Sequence, residues 1–187
     1  GATGSNGGGV QGQINVYNSG GGGGHATVGF ANPDDYYAAP AGKAYGSADL
    51  GRIYLGSGGG GGGRYYDGSN WVNGLAGKDG GGAIFISADA ISFDGQISAR
   101  GQDSPVDNYN IAKGGSGSGG SIRIEGKTIS LNSVNVLGGF VGARGASGRV
   151  AVYYADAFTS HFTPGYLLNT TTGLLDSITG DDFENGL

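Results

Sequence analysis

The sequence contains no cysteine and no methionine, so no disulfide framework holds it and no thiolate serves as nucleophile or metal ligand. That absence does not fix a compartment, since it suits bacterial surface proteins as well as cytosolic ones. Charge is scarce as well: Asp, Glu, Lys and Arg make up 13% of residues, the net charge is −5, and the basic residues form no cluster. A polyanion would find no electrostatic footprint here, so nucleic acid is not an expected partner. No apolar run approaches the roughly 20 residues of a membrane helix, so no membrane span is expected. With Gly1 in first position, the chain reads as a processed or excised segment whose export signal is gone.

What the chain has in abundance is glycine, 45 of 187 residues. Each ordered glycine gives up more backbone entropy on folding than any other residue, so something must offset the cost. Collagen is excluded because no strict three-residue glycine period exists, and disorder is disfavoured because short blocks of Ile, Val, Leu, Phe and Tyr punctuate the glycines.

Those blocks repeat. Glycine, any residue, an aliphatic, any residue and a second aliphatic occur at Gly12–Val16, Gly51–Leu55, Gly82–Ile86, Gly120–Ile124 and Gly148–Val152, at intervals of 39, 31, 38 and 28 residues. Two units align further: Ile91 and Phe93 match Ile129 and Leu131 at an offset of 38, and Ile97, Ala99 and Gly101 match Val134, Val136 and Gly138 at 37. Alternating aliphatic and polar residues are the period-2 mark of a strand with one buried face. Asp94-Gly95 and Asn132-Ser133 supply turns between strands. No segment shows a 3.6-residue period. Three short strands per unit, stacked unit on unit, describe an all-β parallel β-helix or solenoid with long glycine-rich loops. The alternative is a β-sandwich with ordered polyglycine segments. Residues 1–157 are expected to form this repeat domain, and 158–187, which lacks the repeat, a C-terminal arm, cap or linker.

The runs Gly20–Gly24, Gly58–Gly63, Gly80–Gly82 and Lys113–Gly120 admit two readings: flexible surface loops, or extended polyproline-II-like segments bonded backbone to backbone. Gly77-Lys78-Asp79 lacks the ending of a phosphate-binding loop.

With these motifs assembled, the chain resembles large glycine-rich, repeat-containing secreted or cell-surface β proteins of environmental bacteria, of the myxobacterial type. The stretches that carry the resemblance are Gly20–Thr27, Ala44–Leu50, Ile53–Gly60, Gly81–Ile86, Gly119–Ile124 and Gly148–Tyr154, spanning about residues 7 to 158. The Asp34-Asp35-Tyr36-Tyr37 loop and the polar stretch Asp103–Asn110 depart from the pattern. The resemblance implies an extracellular, β-rich surface module, and it supplies no catalytic residues.

Chemistry-bearing residues are few. Of the two histidines, His25 ends a glycine run, where its ring is expected to cap a turn or pack over bare backbone; a lone His lacks the companions of a zinc site. Carboxylates gather at Asp34-Asp35, Asp103 with Asp107, and Asp181-Asp182 with Glu184; calcium is the one cofactor they suggest, although none follows a calcium-loop pattern, and solvated loops account for them. No catalytic or metal site is expected. Trp71, Tyr65, Tyr66, Tyr36 and Tyr37 are candidates for stacking on surface glycans, or they shield glycine backbone as amphipathic lids. Asn169-Thr170-Thr171 is a glycosylation sequon. The expected function is an extracellular structural protein that self-associates through its termini into a fibre, filament or surface layer. A glycan-binding adhesin is the alternative, and a polysaccharide-degrading β-helix enzyme comes third.

Overall fold

The computed structural model describes residues 19–32, 39–105 and 112–160, and the backbone of 167–172. Its strands are β1 (Tyr65–Tyr66), β2 (Trp71–Val72), β3 (Ala83–Ser87), β4 (Ala90–Ser98), β5 (Ser121–Asn135), β6 (Arg149–Ser160) and β7 (Leu167–Thr172). None of the described residues is helical.

The aliphatic blocks at 82–86, 120–124 and 148–152 do become strands, and they pair in parallel. Ile84 stands beside Ile122 and Ile122 beside Val150; Ile86, Ile124 and Val152 form the next rung. Further along, Ile91 pairs with Ile129 and Ile97 with Val134, with a register shift between Phe93 and Gln96. Like stacks on like, so each β-branched side chain packs on its own kind across neighbouring strands. Ile122, Ile124, Ile129, Leu131, Val134, Val136, Val150 and Val152 join Ile97 and Ala99 in one buried core, and the 15-residue β5 feeds it on both sides of a register shift between Gly126 and Thr128.

The expected solenoid is not formed. Among the described residues the strands make one small open sheet, ordered β3-β5-β6-β7 with β4 also on β5, and a separate two-stranded ribbon, β1-β2. Among the described residues the other sheet is only that two-stranded ribbon, so the two packed sheets of a sandwich are not formed either. Gly51–Leu55 carries the strand pattern but forms no strand, and Gly12–Val16 lies outside the described residues. The physical reason for the difference is the glycine. Its runs are not loops joining closed coils; they are a second structural body from which strands emerge.

That body is an array of extended segments bonded backbone to backbone in steps of three. The N–H groups of Ala39, Gly42 and Tyr45 donate to the carbonyls of Ser19, Gly22 and His25 at 3.0, 2.8 and 2.9 Å. Those of Gly56, Gly59 and Gly62 donate to Gly81, Lys78 and Leu75, the partners running in the opposite direction. Leu75, Lys78 and Gly81 donate in turn to Ala112, Gly115 and Ser118. A polyproline-II helix has three residues per turn, so every third peptide points the same way, and three-step bonding is its signature. Among the described glycines only Gly46, Gly68 and Gly142 have positive φ, so the runs share the hand of polyproline II.

Segment 112–120 lies at the centre. Its N–H groups address three neighbours in rotation: Gly115 and Ser118 donate to Gly60 and Ser57, Ser116 and Gly119 to Ala143 and Ala146, and Gly117 and Gly120 to Gln102 and Ala99. Its carbonyls accept from three others, namely 20–23, 75–81 and Gly139. Six neighbours around one chain leave no room for side chains at most of its positions. A Cβ on Gly115 would lie 2.0 Å from the Gly21 oxygen, and one on Gly117 1.9 Å from the Asp79 oxygen. The two serines that interrupt the glycines are wholly buried and satisfied. Ser116 Oγ donates to Val141 O at 2.8 Å and accepts from Ser104 N at 2.9 Å, while Ser118 Oγ accepts from Ser57 N at 2.7 Å. The ordered reading of the glycine runs therefore holds over the described residues.

Segments 75–82, 112–120 and 143–148 run directly into β3, β5 and β6. The array thus forms part of the long crossover connections that parallel strands require, and it delivers three of those strands in register.

Candidate functional site

Two clusters of chemistry-bearing side chains stand out among the described residues. The first sits where array and sheet meet. His25 is fully buried at the end of its glycine run. Its Nδ1 lies 2.7 Å from the Gly119 carbonyl, which can only accept, so Nδ1 carries the proton. The carbonyls of Lys113 and Ser116 take backbone N–H groups from segment 20–23; three residues further on, the imidazole supplies the donor. Nε2 faces Ser121 Oγ at 3.4 Å, but the Ser121 hydroxyl hydrogen is committed to Tyr54 O at 2.8 Å. The pair is therefore not an activated serine, and the ring caps the carbonyl of a segment 94 residues away in sequence rather than a turn of its own. Burial holds the imidazole below its ordinary 6.5; the Arg149 charge pushes the same way and the Gly119 bond opposes it.

Tyr45 stacks on His25 with ring centroids 4.7 Å apart and planes 25° from parallel. Its hydroxyl donates to Leu55 O and accepts from Ser57 Oγ, and burial pushes the phenol above its usual range. Arg149, 8% exposed, uses Nη2 to hold the carbonyls of Ala26, Tyr45 and Gly46 at 3.4, 3.1 and 3.3 Å, and its Nε has no partner. From this junction residues 44–55 run as a strap over the outer face of β5 and β6. Leu50, wholly buried at φ +49°, packs there with Ala151 and Tyr153. Arg123 Nη1 donates to Leu50 O at 2.9 Å, and the Tyr153 hydroxyl donates to Asp49 O.

The second cluster is the ribbon. β1 and β2 pair antiparallel, with Tyr66 opposite Trp71. The turn is closed by its own side chain: Asp67 Oδ1 accepts from the N–H of Ser69 and Asn70 at 2.8 and 2.7 Å, which also holds its carboxyl below the usual range, and Gly68 takes φ +99°. Tyr66 and Trp71 are about half exposed with centroids 5.5 Å apart. The Arg64 guanidinium lies 4.7 Å over the indole. Such a platform offers flat apolar faces with polar rims and no reacting group.

Of the other candidates, Tyr65 lies in β1 opposite Val72, while Tyr36 and Tyr37 lie outside the described residues. Asn169 is in β7 beside Ala151. Asp103 is taken by Arg100 at 2.7 Å and by the Phe140 N–H; Asp34, Asp35, Asp107, Asp181, Asp182, Glu184 and His161 lie outside the described residues. Among the described residues no three His, Cys, Asp or Glu side chains gather around a metal position, and no helix is long and apolar enough to cross a membrane. The sequence reading missed Tyr45, Leu50 and Arg149. Arg149 occupies the same motif place as Ala83 and Ser121, so nothing in the repeat distinguished it.

No family model, curated protein or solved structure matches the chain.

Proposed function

We propose that this protein is an extracellular structural protein, a subunit that self-associates into a fibre, filament or surface layer. The observation that carries this reading is the glycine array. The backbone of its central segment is bonded to six neighbouring segments. A segment in such an array can take six neighbours, so a segment with fewer has backbone groups that a further copy could bond. Exposed sheet edges invite addition of another chain for the same reason. Rigidity obtained from backbone bonding, with buried serines and a capping histidine in place of a reactive constellation, suits a building element. Export, assembly through the termini and a glycan on Asn169 belong to the same reading.

Sedimentation velocity and electron microscopy of the purified chain test it. Assembly should grow with concentration and be insensitive to salt, because backbone and apolar contacts are weakly screened. A chain that remains monomeric at all concentrations would refute the reading.

A second reading, a glycan-binding adhesin, is favoured by the Arg64, Tyr66 and Trp71 platform. Trp71 is the single tryptophan of the chain, so stacking of a sugar on it should shift the intrinsic fluorescence. Absence of any shift across a panel of surface polysaccharides would remove this reading.

A further inference from the structure

The strap 44–55 is tied down at its start by the His25 junction, at its middle by Leu50, and at its end by the bond from Ser121 Oγ to Tyr54 O. The groups that face the His25 ring are Tyr45 from the strap, the Gly119 carbonyl and Ser121 from the entry to β5, and Arg149 from the start of β6. None of these is a carboxylate. Arg149 is itself buried, carries a full charge, and is held only by carbonyl dipoles. The backbone bond from Tyr45 N–H to His25 O, at 2.9 Å, and the ring stacking place the root of the strap on the same residue. Asp49, the one acid on the strap, has its carboxylate on Ser47 and the Gly51 N–H, away from the imidazole, and those bonds keep it ionised well below neutral pH.

We propose that His25 is an acid-sensitive latch: its protonation releases the strap 44–55 from the outer face of β5 and β6, exposing Leu50, Ala151 and Tyr153. A second cation beside Arg149, in a site closed to water and lacking an acid, is costly. The imidazolium gains little in return, because its new Nε2–H would find only Ser121 Oγ at 3.4 Å, beyond good hydrogen-bond range. Opening lets the ring reach solvent and take up its proton at the ordinary value. The closed strap therefore has its full stability above about pH 6.5 and loses it as the pH falls below that point. The opening constant rises about tenfold per pH unit until the closed ring itself protonates. The latch concerns the fold and holds whether or not the chain assembles.

Hydrogen exchange of the strap amides tests it, with protection factors corrected for the intrinsic pH dependence of exchange. Between pH 7.5 and 5.5 strap protection should fall about tenfold in the parent chain, while the amides of β5 keep theirs. In His25→Gln, which retains an N–H donor but cannot charge, strap protection should be the same at both pH values. Equal strap protection at both pH values in the parent chain, or an equal loss in His25→Gln, would overturn the proposal. Should His25→Gln fail to fold, NMR titration of the His25 ring in a His161→Gln background decides. A ring midpoint below 6.5, tracked by the strap amides, supports the latch; a midpoint at or above 6.5, or strap amides that ignore it, overturns it.

Discussion

Adding one methyl group to Gly117 should come close to unfolding the protein, while adding one to Gly82 should not. The Cβ of Gly117→Ala would sit 1.9 Å from the Asp79 carbonyl oxygen, whereas ordinary contact begins at 3.4 Å. Segments 75–81 and 112–120 would have to part by about 1.5 Å, more than a close-packed array absorbs. The bonds at stake between them are Lys78 to Gly115 at 3.0 Å and Gly81 to Ser118 at 2.8 Å. Each bond lost leaves a buried group unsatisfied at a cost of about 1–3 kcal/mol, giving a loss of about 2–6 kcal/mol for the two. That is much of the roughly 5–15 kcal/mol by which domains are stable. Gly82 lies three residues from the same crowded zone, yet no atom stands within 4 Å of its Cβ position and its φ is not positive. Gly82→Ala should stabilise by about 0.4–1 kcal/mol through the unfolded chain. Guanidinium unfolding followed by circular dichroism reads both, provided the slope is unchanged. If Gly117→Ala falls within about 0.5 kcal/mol of the parent, or if the two variants behave alike, the close-packed array is wrong.

Ser116→Ala removes a buried hydroxyl that serves Ser104 N and Val141 O; it should cost about 1–3 kcal/mol in the same unfolding assay, despite being the smallest of changes. Leu50→Gly relieves a left-handed backbone worth about 1 kcal/mol but deletes a wholly buried side chain worth about 2–5 kcal/mol. It should therefore destabilise, and hydrogen exchange should show the loss concentrated in residues 44–55.

The strand ladders were legible from spacing. The offsets of 38 and 37 that align Ile91 with Ile129 and Ile97 with Val134 reappear as register partners, because a repeated aliphatic pattern buries the same face each time. Closure into a solenoid was not legible, and it was wrong. Gly51–Leu55 has the pattern of a strand, but its neighbours decide otherwise: it belongs to the strap crossing the sheet, with Tyr54 O held by Ser121 Oγ. The array itself was hidden for a different reason. Three-step order is visible in a sequence only when side chains mark the steps, and a run of glycines marks none. The two serines that interrupt the run, Ser116 and Ser118, stand two residues apart and mark no three-step period either, and nothing in the pattern announces their burial. The junction was the least legible part, since His25 meets Gly119 across 94 residues and Arg149 meets Ala26 across 123. Of the stacking candidates, Tyr66 and Trp71 do meet, because a four-residue turn places them opposite one another.

The central claim is that the glycine runs are bonded structure, and amide hydrogen exchange at residues 115–120 tests it most directly. Protection there should match that of Ile122 and Ile124 in the core of β5, because each amide from Gly115 to Gly120 donates to a backbone carbonyl of a neighbouring segment. Exchange at the rate of an open glycine-serine linker would contradict it.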